Sequence, residues 1–385
     1  MSNIETIGTP NGEIAIYGSC DPRYRKLYDA FAENFHSLNE LGAAVALYKD
    51  GEKLVDLWGG YMDVDRKRAW TEHSIVSMAS VVKGMMALGV HMLADQGKLD
   101  YDAPVADYWP EFAQNGKGLV TVRQAISHHA AIHFIDAAQP GDYHRWDRMV
   151  AAVAKQRSEW APGTRGVYHT TSFIFILGKL IAAATGEMPW DWFRREVTEK
   201  LGVEYNLRCT ETDVANFGPD IDTAHFVAGA RMPQEVIRRF FAGMGDPATT
   251  LSPEERKRLP FQATAGNARG VARLFSFCAM DGALDGIRIF SPETIDLMTQ
   301  VQWYAPCPVW GTPMRTAMGL LLNDPDFFYI GPNRNAFGTA GAGGSFGFAD
   351  RENRISMSYA LNRWWPALAL GDRARRLVDA AYASI

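Results

Sequence analysis

The sequence has few cysteines and little excess charge. Its four cysteines, Cys20, Cys209, Cys278 and Cys307, form no C-x-x-C pair, which excludes a zinc ribbon and a disulfide framework. The formal net charge is −5, so the basic face of a nucleic-acid binder is not expected. Residues 1–18 lack a basic segment followed by an apolar one, so we expect no secretory signal and predict a cytoplasmic protein.

Long hydrophobic runs are also rare, and only residues 75–94 raise the question of a membrane span. Lys83 lies in the middle of this stretch, together with Ser77, Ser80 and His91, and a charge at mid-span is costly in lipid. We therefore interpret the stretch as a buried helix and predict no membrane partner.

The 385 residues are 47% hydrophobic and 22% charged, which is typical of a globular protein. Strand patterns occur at both ends of the chain. Near the start, residues 43–49 and 53–59 flank Asp50 and Gly51, a strong hairpin signal. Near the end, residues 345–349 and 355–362 flank a polar turn. Helical patterns precede or follow these strands at residues 22–39 and 367–383.

Helical periodicity dominates the middle of the chain, for example at residues 173–184, where Gly186 ends the pattern. The sequence therefore predicts an α+β fold, in which one antiparallel sheet is built from both chain ends and flanked by helices, with an all-helical region inserted. We assign residues 1–75 and 259–385 to the sheet part and 76–258 to the helical part, with an active site in the cleft between them.

Lys83 is the only formally charged residue between Ser74 and Asp95, and the helix around it is apolar on nearly every side. A buried ammonium is costly, so this lysine should be paired or should lose its proton. Ser80 lies one helical turn earlier on the same face, and Gly84 and Ala87 leave room for an approaching group.

Ser80 and Lys83 form a Ser-x-x-Lys motif. A serine at a helix N-terminus is close to free backbone N–H groups that stabilise an oxyanion. A desolvated neutral lysine one turn away accepts the hydroxyl proton. The alternative is a helix cap beside a lysine that reaches the surface.

With this motif, the chain resembles the penicillin-recognising serine hydrolases and, more closely, the family VIII carboxylesterases, relatives of class C β-lactamases. The resemblance covers about residues 57–362. It also rests on segments 100–105, 108–112, 121–128, 162–169, 267–270 and 341–350. The β-lactamase and penicillin-binding-protein fold is what this resemblance implies.

The resemblance assigns a catalytic role to Tyr168, beside the serine and lysine, with phenolate character favoured by the lysine's charge. Both Tyr and Lys ordinarily titrate near pH 10, so burial and a cationic neighbour are needed to activate either at neutrality. The alternative is a core tyrosine ahead of a buried helix. The resemblance also implies an oxyanion hole formed by the backbone N–H groups of Ser80 and Ala342.

The sequence departs from the family at two substrate-binding motifs. Thr339, Ala340 and Gly341 stand where relatives have Lys-Thr-Gly, His-x-Gly or Trp-x-Gly, and Thr170 replaces an asparagine amide. We expect Thr339, Gly341 and Thr170 to contact substrate. Because Thr339 carries no charge to hold a substrate carboxylate, these departures favour a neutral ester over a β-lactam.

Other motifs are interpreted as structural. Residues 343–347 match G-x-S-x-G, but no histidine follows Ser345, as an α/β-hydrolase requires. His128, His129 and His133 lack the glutamate or histidine spacing of a zinc site, so we predict no metal. No phosphate-binding glycine motif occurs, so we predict no cofactor. Most large aromatics fill the core, but some of the following eight flank the motif at 339–342, so we expect an apolar or aromatic acyl pocket: Trp303, Tyr304, Trp310, Phe327, Phe328, Tyr329, Trp364 and Trp365.

The sequence thus predicts a serine hydrolase that cleaves small-molecule carboxylic esters through an acyl-enzyme on Ser80, with Lys83 and Tyr168 as the general base. Three alternatives remain open: a β-lactamase or D-amino-acid peptidase, an acyltransferase to an alcohol, and a binding module on a hydrolase scaffold.

Overall fold

A computed structural model of the chain describes residues 3–223, 233–241, 243, 265–366 and 370–385. The strands of this described part, in chain order, are β1 (Asn3–Thr9), β2 (Gly12–Cys20), β3 (Gly42–Lys49), β4 (Glu52–Gly60), β5 (Ile75–Ser77), β6 (Tyr205–Asn206), β7 (Phe217–Gly218), β8 (Ala265–Gly266), β9 (Ala283–Leu284), β10 (Ile287–Arg288), β11 (Trp303–Pro306), β12 (Pro313–Thr316), β13 (Leu321–Leu322), β14 (Phe337–Ala340), β15 (Phe346–Asp350) and β16 (Ile355–Leu361). The α-helices are α1 (Arg25–Ser37), α2 (Val81–Asp95), α3 (Val105–Tyr108), α4 (Val122–Ile126), α5 (Trp146–Lys155), α6 (Ser172–Thr185), α7 (Pro189–Phe193), α8 (Glu211–Asn216), α9 (Gln234–Phe241), α10 (Ala268–Ala279), α11 (Pro292–Met298) and α12 (Gly371–Tyr382).

The main sheet has ten strands in the order β1-β2-β4-β3-β16-β15-β14-β13-β12-β11, and every pair is antiparallel. Its two halves come from opposite ends of the chain and meet where β3 pairs with β16, from Ala43 opposite Leu361 to Lys49 opposite Ile355. The predicted fold class, a sheet built from both chain ends with helices around it, is therefore confirmed.

Strand β3 is apolar along most of its length because both faces of the sheet are covered. Val45 and Leu47 face a core that includes α1 and α12, whereas Ala44 and Ala46 face the core that includes α2 and α10. The predicted turn joins β3 to β4, with Asp50 at φ +53° and Gly51 at φ +84°. Two successive positive φ values suit the twist of a tight antiparallel hairpin.

The predicted helix over residues 75–94 is wrong at its start. Ile75–Ser77 is strand β5 in a second sheet, ordered β6-β8-β5-β7, and α2 begins only at Val81. The strand forms because Val76 and Ser77 pair with Gly266 and Ala265 of β8, a partner almost 190 residues away. The rest of α2 is buried on nearly every side, as expected, and packs against α6 and β14.

The predicted division into a sheet part and a helical part stays a prediction, and its boundary at 258/259 lies outside the described residues. The helix expected at 367–383 is α12, Gly371–Tyr382, and residues 367–369 are likewise not described. Within the described ranges, no single helix has both the length and the hydropathy to cross a membrane; the bent pair Ser172–Thr185 and Pro189–Glu199 reaches them only together, across a 75° bend.

Candidate active site

Ser80 lies in the sharp turn that connects β5 to α2. It is half-buried and occupies the N-cap position of the helix, at φ −68° and ψ −2°. The preceding residue, Ala79, has φ +46°, an unfavourable conformation for a residue with a Cβ atom. The turn therefore holds the serine hydroxyl at the positive end of the α2 dipole. The first N–H groups of the helix, from Val81 to Lys83, donate to the carbonyl oxygens of Met78, Ala79 and Ser80.

Lys83 is buried inside the protein, 6% exposed, and its Nζ lies 2.9 Å from Ser80 Oγ. Burial lowers the pKa of the Lys83 ammonium from 10.5 to about 7, because the charged form cannot be hydrated there. A substantial fraction of the amine is thus neutral near pH 7. It can accept the proton of the serine hydroxyl at hydrogen-bonding distance.

The side chain of Tyr168 completes a group of three. Lys83 Nζ lies 5.3 Å from the centre of the Tyr168 ring, and the phenol is hydrogen-bonded to the Ser80 side chain. Burial raises the pKa of Tyr168, the Ser80 hydrogen bond offsets part of this effect, and nearby Cys307 adds to it. The structure thus brings the three predicted catalytic residues together.

One expectation about these residues is wrong: the site does not favour a phenolate. The same burial that keeps the Lys83 amine neutral also penalises a negative phenolate, so Tyr168 is a neutral phenol near pH 7. The lysine amine is consequently the group poised to accept a proton, and the phenol is poised to donate one.

The connection between β14 and β15 approaches the serine turn at Gly341. A Cβ atom on Gly341 would lie 2.1 Å from the carbonyl oxygen of Met78, so only glycine fits there. Gly341 N–H donates to Ser345 O at 2.7 Å, which closes the connection into a tight loop. Across the described residues, the backbone N–H groups of Ser80 and Ala342 have no protein acceptor, as an oxyanion hole requires.

The structure places Thr339 and Thr170 in buried positions. Thr339 lies against α2 at Gly84, where an added Cβ atom on the glycine would be 2.5 Å from the Cβ atom of Thr339. The room that the small residue Gly84 leaves on the helix is thus filled by the protein. The Thr170 hydroxyl donates to His133 O at 3.2 Å. Substrate contacts by these two threonines stay a prediction.

Sequence reasoning missed two neighbours of Tyr168. The buried thiol of Cys307 interacts with the Tyr168 backbone N–H, and His128 accepts from the N–H groups on both sides of the tyrosine. These contacts join residues 39 to 139 positions apart. The spacing of residues within a short motif gives no information about contacts between residues so far apart in the sequence.

Of the eight aromatics, Trp310 lies near Tyr168 and Trp364 lies against the β14–β15 connection. The ring of Trp310 lies 6.4 Å from that of Tyr168, and Trp364 packs against Gly343, where a Cβ atom would be 2.5 Å from its ring.

Ser345 of the G-x-S-x-G match is 2% exposed and is followed by strand β15 rather than by a helix. Within the described part of the chain, no three His, Cys, Asp or Glu side chains are arranged to hold a metal ion.

Comparisons with known proteins identify the family of the chain. The Beta-lactamase family model matches residues 29–382. The esterase/beta-lactamase LipL of Mycobacterium tuberculosis is 30% identical over 95% of this chain and 87% of its own length.

Solved structures show the same similarity. A family VIII carboxylesterase superposes with a TM-score of 0.86 at 34% identity, and a penicillin-binding protein homolog from Caulobacter crescentus with 0.87 at 30%. Each comparison covers 96% of this chain and 100% of the other. The chain therefore belongs to the beta-lactamase family and is a serine hydrolase of that family.

Proposed function

We propose that the chain is a carboxylesterase that acts through an acyl-enzyme on Ser80. The observation that carries the proposal is the 2.9 Å contact between Ser80 Oγ and the buried Nζ of Lys83, whose pKa of about 7 makes it a base at neutral pH. Two of the similar proteins above are an esterase/beta-lactamase and a family VIII carboxylesterase, which supports this class of substrate.

In the first half of the reaction, Ser80 Oγ bonds to the ester carbonyl carbon while Lys83 Nζ takes its proton. The negative charge on the carbonyl oxygen is stabilised by the backbone N–H groups of Ser80 and Ala342. The bond to the alcohol oxygen then breaks. The Tyr168 phenol gives that oxygen a proton and is reprotonated by the Lys83 ammonium, which releases the alcohol.

In the second half, water attacks the acyl-enzyme and its proton passes to the neutral Lys83–Tyr168 pair. Collapse of the second tetrahedral intermediate returns a proton to Ser80 Oγ and releases the carboxylic acid. The sum is ester plus water to acid plus alcohol. No cofactor or metal takes part in these steps. The site would lie in the cleft between the two proposed parts, since Ser80, Lys83 and Tyr168 belong to one part and Ala342 to the other.

Mass spectrometry of the intact protein after brief exposure to an activated ester tests the proposal. We expect one acyl adduct on the peptide that contains Ser80, and none in Ser80→Ala. Ser345→Ala is the matched control, since Ser345 is the serine of the competing motif, and it should still be acylated. An adduct on Ser345, or no adduct in the wild type, would overturn the mechanism.

The substrate's neutral character follows from Thr339, which offers no charge to a carboxylate, and its apolar character from Trp310 and Trp364. We expect nitrocefin to be turned over far more slowly than nitrophenyl esters; comparable rates would favour a β-lactamase. A nitrophenyl ester series from acetate to octanoate should show a clear acyl preference that changes in Trp364→Ala. Equal rates along the series would contradict the aromatic pocket.

A further inference from the structure

Tyr168 is held in place by a residue from a distant part of the sequence. The carbonyl oxygen of His128 accepts the N–H of Val167 at 3.0 Å, and its Nδ1 accepts the N–H of His169 at 3.2 Å. The His128 ring also lies against the Tyr168 ring, with centres 4.9 Å apart. One residue thus contacts three consecutive residues, and the tyrosine is the middle one.

The thiol of Cys307, from a later segment of the chain, interacts with the backbone N–H of Tyr168 itself, while His128 accepts from the N–H groups on either side of it. The His128 ring also packs on Phe173, at 4.2 Å between ring centres, in the first turn of α6. The imidazole therefore contacts both the tyrosine and the helix that follows it. It leaves Tyr168 little freedom to tilt away from Lys83.

The backbone at His128 is in an unusual conformation. Its φ is +62°, in the left-handed region, which costs a non-glycine residue free energy unless the surroundings impose it. It follows the C-cap residue, Ser127, of the short helix α4, which begins with a capping box between Thr121 and Gln124. A rigid helix followed by a left-handed residue aims both the carbonyl and the ring of His128 at the same segment.

The hydrogen bond to His169 defines the proton position on the imidazole. Because Nδ1 accepts, the proton must be on Nε2 and the ring must be neutral. Burial lowers the pKa of His128 well below its ordinary value, and the facing Lys83 and neighbouring His129 lower it further; Tyr168 and a neutral, buried His169 are the other titratable groups against the ring. The acceptor at Nδ1 is thus retained at neutral pH.

We propose that His128 is a positioning residue: its neutral Nδ1 and its ring hold the Tyr168 phenol where it donates a proton to the departing alcohol. This inference rests on the proposed function of Tyr168. It predicts that substitution of His128 slows the hydrolysis of esters whose departing alcohol must be protonated. Hydrolysis of esters with an activated leaving group, which departs without a proton, should be affected much less.

The test compares His128→Leu with His128→Asn. Leucine has a similar shape but no acceptor, whereas asparagine places Oδ1 at the position of Nδ1 and tolerates a left-handed backbone. We would measure kcat/KM for the ethyl and the 4-nitrophenyl ester of one acid and divide the ethyl value by the nitrophenyl value. This ethyl-to-nitrophenyl ratio isolates the leaving-group step, because the acyl part of the two esters is the same. We expect the ethyl-to-nitrophenyl ratio to fall about tenfold or more in His128→Leu and to recover most of that loss in His128→Asn.

His128→Gly serves if the leucine variant does not fold, since glycine adopts positive φ without strain and also removes the ring acceptor; the same fall is expected. Tyr168→Phe separates this inference from the proposed function. If Tyr168→Phe lowers the ratio but His128→Leu and His128→Gly do not, the positioning role is wrong. Equal falls in the asparagine and leucine variants would also overturn it. If Tyr168→Phe leaves the ratio unchanged, proton donation by Tyr168 is itself wrong.

Discussion

Replacing Lys83 by methionine should make the protein more stable and inactive at the same time. The lysine is buried in an apolar helix, and its one hydrogen bond among the described residues is to Ser80 Oγ. Methionine has nearly the same length and shape but no charge to desolvate. A catalytic group held in an unfavourable environment is a common reason why active sites reduce stability.

The size of the effect follows from the shift of the lysine pKa from 10.5 to about 7. Between these values the unfolded chain binds a proton that the folded protein does not, so stability rises with pH across this window. The cost of folding with Lys83 is then about 4 kcal/mol at pH 7 and about 1 kcal/mol at pH 10. Losing the hydrogen bond to Ser80 costs about 1 kcal/mol. We therefore expect Lys83→Met to be about 3 kcal/mol more stable at pH 7 and about equal to the wild type at pH 10.

Urea unfolding followed by tryptophan fluorescence at several pH values from 7 to 10 would measure this difference. The slope with urea should be the same in both proteins, so that the midpoints report stability alone. Lys117→Met is the matched control. Lys117 is also buried, and burial lowers its pKa to about 8, but its Nζ donates to the carbonyl oxygens of Gln114, Ala154 and Gln156 at 2.7–2.8 Å. Its replacement should give a clearly smaller gain in stability at pH 7 than Lys83→Met, or a loss, because three carbonyl oxygens lose their donor.

Two results would refute the reasoning. If Lys83→Met is no more stable than the wild type at pH 7, then burying Lys83 does not reduce the free energy of unfolding. A stability gain that stays constant from pH 7 to pH 10 would mean that it does not arise from the lysine proton. In parallel, esterase activity of Lys83→Met should fall by about 10²–10⁴-fold, the usual contribution of a general base.

Three further predictions concern the same structure. The kcat/KM for a nitrophenyl ester should rise with pH through about 7, because only the deprotonated Lys83 accepts the serine proton; a flat profile from pH 5 to 9 would contradict this. Gly341→Ala should lower kcat/KM by about 10²-fold with the fold intact by circular dichroism, because its Cβ would meet Met78 O and move the oxyanion-hole amide. Arg373→Met should destabilise by about 3–5 kcal/mol in neutral urea unfolding, because it leaves the buried carboxylate of Glu40 without its ion pair, 3.2 Å away. Burial already raises the pKa of Glu40, so this loss should shrink toward acid pH, where the carboxyl is protonated.

The predictions that succeeded for the fold rested on short-range signals. Asp50 and Gly51 predict the β3–β4 hairpin, because few other residues adopt two successive positive φ values. Gly186 predicts the end of α6 for the same reason, and it caps that helix at φ +74°. The start of α2 was mispredicted, because pairing of Val76 with Gly266 outweighs the helical pattern and no local signal reports that pairing.

For the site, the isolated charge of Lys83 in an apolar helix was the informative feature of the sequence. Burying a charge is so unfavourable that the position alone indicates a functional reason, and the resemblance then supplied Tyr168 and Ala342. The chemical state of Tyr168 could not be predicted, since it depends on whether burial or the lysine charge dominates. The structure decides in favour of burial.

By itself, the sequence predicted which groups would carry the chemistry and determined which ends of the chain form the sheet, because amino-acid type and hydrophobic periodicity are local properties. Only the tertiary structure decided that Thr339 packs on Gly84, that Cys307 and His128 contact the backbone around Tyr168, and that Lys83 is buried with a lowered pKa. These outcomes depend on contacts between residues that are far apart in the sequence and on the water that those contacts exclude. Both exist only once the chain has folded.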